Sequence, residues 1–238
     1  MPLLFHWRAA VLAPLMLAAC LAPAAHAQSS CSSDGQSRPV ALLERFINAD
    51  CRDCWSDAAT PRVRRGQVAL DWVLPGNRGE DAPLSAVASR DGLKRLQALG
   101  LAPPANSSSQ TTAVTAQGSL RVAHGPPVAG YIGASVQLQR VPRAGLTPPF
   151  TAWLALVETL PAGTEASPVP RNLVRNLLQP IWDERKQLSK GEHSGWLESR
   201  AMDIPAGTEP GRLALIGWVE DAGGRVFAAA QSRCTPAR

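Results

Sequence analysis

Val40-Ala41-Leu42-Leu43-Glu44-Arg45-Phe46-Ile47-Asn48-Ala49-Asp50-Cys51-Arg52-Asp53-Cys54-Trp55-Ser56, with Pro61 close behind, is the stretch that decides how this chain is read. Val40 to Ile47 is apolar enough for a strand despite Glu44 and Arg45. Cys51 to Ala59 can form only a short helix, because Pro61 removes a donor and stops it. A Cys-x-x-Cys motif therefore falls where a strand gives way to a helix. Amides and dipole at a helix start stabilise a thiolate on the first cysteine. The second, one turn on, can resolve the mixed disulfide that follows. Arg52 favours the thiolate, whereas Asp50 and Asp53 oppose it. The same pair can equally be a permanently oxidised loop, and the residues leave both readings open.

Outward from the motif, Gln67 to Leu74 reads as a buried strand ended by Pro75-Gly76. Leu84, Val87, Leu93, Leu96 and Leu99 recur at helical spacing, with Gly100 placed to end the helix. Residues 102–112 read as a polar loop, and short strands are expected around Thr112–Ala116 and Ser119–Ala123. The resulting β-α-β-α-β-β order is that of a thioredoxin fold, though other α/β folds share it. Gly125-Pro126-Pro127 marks the predicted boundary. Beyond it strands are predicted at Tyr131–Val141, Thr151–Leu160, Trp196–Ile204, Arg212–Val219 and Arg225–Gln231. One helix interrupts them, from Arg171 to about Leu178, and Glu220-Asp221-Ala222-Gly223-Gly224 reads as a hairpin turn. The predicted fold class is α/β plus β. A thioredoxin-like domain over 39–125 is followed by a small antiparallel β-sandwich-like domain over 128–238.

The ends of the chain bear on its compartment. Residues 1–27 read as a signal peptide: Arg8 closes a positive head, an apolar stretch follows, and Ala25-His26-Ala27 has the small-x-small form of a cleavage site. Leu17-Ala18-Ala19-Cys20 offers a rival, a lipobox in which Cys20 would carry lipid. Residues 28–38 form a polar leader. The expected location is the periplasm or the secreted fraction, with an outer-membrane lipoprotein as the alternative. Of the five cysteines, both processing routes leave Cys31, Cys51, Cys54 and Cys234, an even number with three connectivities. The favoured partition pairs Cys51 with Cys54 and uses Cys31–Cys234 as a structural staple. Closing so long a loop stabilises by about 4–5 kcal/mol in the chain-entropy model.

Composition excludes some classes of function. The formal charge of +5 becomes +4 once Arg8 leaves, and the pI is about 9.3. The charge is diffuse, however, and the densest cluster, Arg62-Val63-Arg64-Arg65, has no interleaved aromatic to stack a base. No nucleic-acid partner is expected. There is no Gly-x-Ser-x-Gly elbow, Gly-rich phosphate loop or His-Glu-x-x-His, and no cofactor is expected. A zinc site needs four ligands. Besides the motif, only Cys31, Cys234, His124 and His193 remain, so no metal is expected. His124 reads as a loop residue and His193 as a solvated turn. Trp55, Trp72, Trp153, Trp182, Trp196 and Trp218 read as core.

Leu43-Glu44-Arg45-Phe46 running into Cys51-Arg52-Asp53-Cys54 resembles a family of exported thioredoxin-like proteins of Gram-negative bacteria, catalogued as domain of unknown function 1223. The back half is similar too: Leu154-Ala155-Leu156-Val157-Glu158, then Arg175 and Leu177, then Leu215-Ile216-Gly217-Trp218-Val219-Glu220-Asp221 and Gly224-Arg225-Val226-Phe227-Ala228-Ala229-Ala230. The departures fall near the motif. Trp55-Ser56 replaces the family's Pro-Pro, Asp71-Trp72-Val73-Leu74-Pro75 replaces a His-Val-Asp-Tyr-Trp-Asp segment, and Thr111-Thr112 stands about where a Thr-Pro is usual. A non-proline cis bond costs about 2.5–4 kcal/mol, so Thr112 is expected to be trans. The resemblance implies a thioredoxin-like fold and periplasmic thiol–disulfide exchange, with Cys51 attacking and Cys54 resolving. Partners would be thiol- or disulfide-bearing proteins, with a membrane involved only if Cys20 is lipidated. The competing expectation is a non-catalytic envelope protein that keeps Cys51–Cys54 as a brace.

Overall fold

The computed structural model describes residues 31–141, 145–190 and 193–234. The expected signal peptide and Cys20 lie outside the described residues. The chain runs β1 (Cys31–Ser32), β2 (Ala41–Asn48), α1 (Asp53–Ser56), β3 (Gln67–Leu74), α2 (Asp91–Ala98), β4 (Ser107–Ala113), β5 (Ser119–Val128), β6 (Tyr131–Val141) and β7 (Phe150–Leu160). It continues through β8 (Arg171–Leu178), β9 (Ile181–Trp182), β10 (Leu188–Lys190), β11 (His193–Asp203), β12 (Leu213–Glu220), β13 (Val226–Gln231) and β14 (Arg233–Cys234).

Two sheets hold these strands. The smaller has the order β10-β11-β6-β5-β1-β14, and the larger runs β13-β12-β7-β8-β3-β2-β4 with β9 added beside β7. In the larger sheet β2 and β3 pair in parallel, as do β3 and β8, while β4, β7, β12 and β13 enter antiparallel. Of its inner strands, β3, β7 and β12 read as nearly unbroken apolar runs because both faces are covered. Side chains alternate across the pleat. Leu42 and Phe46 accordingly face α2, packing with Leu70, Trp72 and Leu96. Ile47 faces the other way and packs with Trp55 of α1, Val73 and Leu173. On that same face, but over β7, β12 and β13, lies the smaller sheet, whose Val122, Val136 and Leu138 meet Leu154, Leu156 and Leu215. Gly217 leaves the room that Val122 of the smaller sheet fills. A Cβ there would come within 2.6 Å of Val122 Cγ1.

The fold class expected from the sequence is corrected by this architecture. The described residues are 48% strand and 14% helix, with two sheets, and among them no thioredoxin-like α/β fold is shown. The eight-stranded sheet takes β2, β3 and β4 from one side of Gly125-Pro126-Pro127 and β7, β8, β12 and β13 from the other. That tripeptide lies inside β5, which shifts register between His124 and Pro127. Beyond Ala123 and His124 the short β1 no longer covers β5. Among the described residues nothing pairs with its outer edge from there on, and prolines are tolerated at such an edge.

Three further expectations change. Arg171–Leu178 is a strand rather than a helix, wedged between β7 and β3. Val174 and two asparagines make it a weak helix former, and its buried arginines find acids in the sheet. The helix expected from Leu84 to Leu99 shrinks to α2, with a single 3-10 turn at Ser85–Val87 before it. Ser107–Ala113, which takes in the second half of the expected polar loop and only the start of the strand expected at Thr112–Ala116, pairs residue for residue with β2 as an edge strand. Its hydroxyl side chains suit an edge exposed to water, so polarity alone mistook it for a loop.

Candidate functional site: the Cys51–Cys54 turn

The structure pairs Cys51 with Cys54, their Cα atoms 5.4 Å apart, and Cys31 with Cys234, 203 residues apart in sequence. The second bridge ties β1 to β14 at one end of the smaller sheet. The first closes a turn at the end of β2. Cys51 N–H donates to Asn48 O (3.0 Å), and Asp50 N–H donates to the Asn48 side chain (2.9 Å). α1 is only four residues long and has no side-chain cap. A single turn sums few peptide dipoles, so the thiolate stabilisation expected from a helix start is small here.

Charged groups around the turn are organised differently from the sequence reading. Asp50 does not face Cys51 freely. Its carboxylate accepts from the backbone N–H groups of Asn77 (2.7 Å) and Arg78 (3.3 Å). A Cβ at Gly76 would overlap that carboxylate. Both cysteines are half-buried, whereas Arg52 and Asp53 between them are exposed. Trp55 is buried. Its indole N–H donates to Thr164 O (3.4 Å), and the Arg171 guanidinium lies 4.4 Å over its ring.

Beneath α1 sits a cluster that sequence reasoning missed. Arg45, Asp71 and Leu173 are registered neighbours on β2, β3 and β8, so their side chains share the α1 face. Asp71 accepts from Arg45 (2.8 Å) and Arg171 (2.8 Å), and all three side chains are at most 2% exposed. Arg171 also donates to Trp55 O (2.7 Å), pinning α1 to the sheet. Arg45 donates to Pro61 O (3.0 Å) and Pro170 O (3.1 Å), while its Nε–H, buried, meets no partner among the described residues. Two guanidiniums on one carboxylate leave a buried positive surplus. Burial pushes Arg171 down from the ordinary guanidinium value. Asp71 opposes that shift, and the neighbouring Arg45 adds to it.

Two clefts flank the bridge. One of about 240 Å³ opens beside Cys54, between the loop to Pro61 and Ser107–Ser109 of β4, with Arg45 and Arg171 in its lining. The other, about 630 Å³, opens beside Cys51 and is lined by Asp50, Arg52, Asp53, Arg78 and Asp81. Thr112 plays no part in either. It pairs with Leu42, whereas Ser107 pairs with Ile47 at the α1 end of the strand. β4 therefore brings Ser107–Ser109, and not Thr111-Thr112, to the cysteines.

Elsewhere, His124 is a buried residue of β5 rather than a loop residue, paired in register with Cys31. Cys31, His124 and Cys234 offer donor atoms all within 4.8 Å of one another. Both sulfurs are taken up in the bridge. His193 lies in β11, not in a turn. All five tryptophans from Trp72 to Trp218 are buried, as expected.

No protein-family model matches the chain, and no curated protein matches it. Among solved structures the chain is similar to HBP35 of Porphyromonas gingivalis. The two are 11% identical, with a TM-score of 0.49, over 83% of this chain and 76% of the other. A likeness at that level says nothing about what this chain does.

Proposed function

We propose that this is an exported protein that carries out thiol–disulfide exchange through Cys51 and Cys54. The observation that carries this reading is the half-buried, three-residue-spaced bridge held at the tip of β2 between two clefts. In the reduced form the Cys51 thiolate attacks a partner disulfide. A Cys51–partner S–S bond forms, and the first partner thiolate leaves. The Cys54 thiolate then attacks Cys51 Sγ, closing the internal bridge and releasing the second partner thiolate. The pair loses two electrons and the partner gains them; reversal oxidises a partner dithiol.

Magnitudes favour this over a brace. Stabilisation by a cross-link grows with the loop it closes, and a four-residue loop removes roughly 2 kcal/mol of unfolded-state entropy, far less than the 203-residue span of Cys31–Cys234. α1 is moreover anchored without the bridge, through Arg171 and Trp55. The resemblance of the β2 and motif residues to the exported family catalogued as domain of unknown function 1223 points the same way, as do the export-type leader and two bridges suited to an oxidising compartment. The test is reduction of insulin by dithiothreitol. The protein lacking residues 1–27 is expected to accelerate it, and Cys51→Ser is expected to lose the acceleration. Equal rates for the two proteins would refute the assignment.

A further inference from the structure

The two sulfurs look out on unlike surroundings. The Cys51 cleft carries three carboxylates, Asp50, Asp53 and Asp81, against two guanidiniums. The smaller Cys54 cleft is built over Arg45 and Arg171, with one buried carboxylate, Asp71, between them. Asp57 stands at its mouth, exposed, and is already bonded to Ala59 N–H (2.8 Å). Water and salt screen an exposed charge far more than a buried one, so the field in this cleft is positive. Register supplies the rest of the wall. Ser109 pairs with Arg45 and Ser107 with Ile47, which sets both serine side chains on the α1 face. A buried N–H donor, Arg45 Nε, has no partner among the described residues at this place. Buried donors are rarely left unmade.

Resting on the exchange reading, we infer that the Cys54 cleft is a subsite for the carboxylate of a small thiol or disulfide. Such compounds enter the cycle at Cys54, while Cys51 faces the larger acidic cleft and its protein partners. Arg45 and the serine hydroxyls supply donors to the carboxylate, and Cys54 lies at the rim to meet the ligand's sulfur. In-line geometry supports the division, because a thiolate that attacks Cys54 with Cys51 as leaving group must approach from the Cys54 side. The bond formed is ligand S–Cys54 Sγ, the bond broken is Cys51–Cys54, and the electron pair leaves on Cys51.

The experiment uses the Cys51→Ser protein, in which Cys54 is a lone thiol, and three probes: dithiodipropionate (a dianion), bis(2-hydroxyethyl) disulfide (neutral) and cystamine (a dication). Cys54 attacks the probe, one probe thiolate leaves, and the mixed disulfide is followed by mass. Dithiodipropionate is expected to react at least about fivefold faster than cystamine, with the neutral probe between them. Adding Ser109→Asp, an exposed change that leaves the buried cluster intact, is expected to abolish that preference. The Cys54→Ser protein, presenting Cys51 alone, is expected not to favour the dianion. Equal rates for the three probes at Cys54, or a preference that survives Ser109→Asp, would overturn the inference. Exchange itself would then still stand. Failure of the unsubstituted reduced pair to react with any of the probes would instead overturn the exchange reading.

Discussion

Glu44 and Arg45 are neighbours in sequence and point to opposite faces of β2, and each anchors a buried ion cluster. Glu44 accepts from Arg95 of α2 (2.8 Å), which also reaches Glu220 (2.6 Å) while lying about 5 Å over Trp153 and Trp218. Arg45 shares Asp71 with Arg171. Removing one member of such a cluster strands a charge away from water, which costs far more than a surface pair is worth. In the sequence both residues look merely tolerated by an apolar strand. Their charged partners, Arg95 and Asp71, lie 51 and 26 positions away, so no local pattern reveals them. The cysteines were legible because their spacing is itself the signal. His124 was not, since the following Gly-Pro-Pro imitates a break. Its ring nitrogen Nδ1 lies 2.9 Å from Gly125 O, and burial lowers its pKa against the weaker opposing effect of that carbonyl. The unfolded chain therefore takes up protons near the ordinary value of about 6.5, while the folded chain resists until the pH is lower. The folding stability owed to neutral His124 is complete above about pH 6.5 and lost as pH falls from there through the lowered folded value. In urea unfolding at a series of pH values, His124→Gln is expected to flatten this slope. An unchanged slope would show that other groups carry it.

At the scale of elements, the strands that the sequence placed well carry their own apolar pattern, unbroken in β3, which is buried on both faces, and alternating in β6, which is buried on one. Gln67–Leu74 and Tyr131–Val141 match β3 and β6 residue for residue, because apolar content and flanking turns act together there. The misread elements are those defined by neighbours. β4 is polar and becomes a strand through pairing with β2, and β8 has charged and amide side chains that only the sheet and its acids can accommodate. α1, a single turn, cannot hold itself together by propagation, since a helix this short never recovers the cost of its nucleus. It depends on Arg171 beneath it. Arg171→Met is expected to cost about 3 kcal/mol or more in urea unfolding, from the half-paired Asp71 and the lost bond to Trp55 O. Faster amide exchange at Asp53–Ser56 should accompany it. Full protection of α1 in the variant would mean that Trp55 packing alone holds the turn.

For the whole molecule, the continuous larger sheet is what sequence reading missed. Its strand pairings join β2 and β3 to β8 and β7 across more than a hundred residues of chain, and order along the sequence carries little information about them. The long bridge works at this scale. Cys31–Cys234 holds β1 and β14 together at the edge of the smaller sheet. Replacing both cysteines by serine is expected to lower stability by about 4–5 kcal/mol and to steepen the denaturant slope as the unfolded chain expands. A loss below about 1 kcal/mol would show that the staple is redundant with the sheets. The short bridge closes too little chain to stabilise much, and exchange with partners is the task proposed for it. The reduction potential of Cys51–Cys54 tests that distinction most directly. It can be read by equilibrating the protein with redox buffers, alkylating free thiols and weighing the peptide that holds both cysteines. A value between about −120 and −270 mV is expected for a pair that exchanges, and a value below about −300 mV would mark it as a structural bridge and contradict the account.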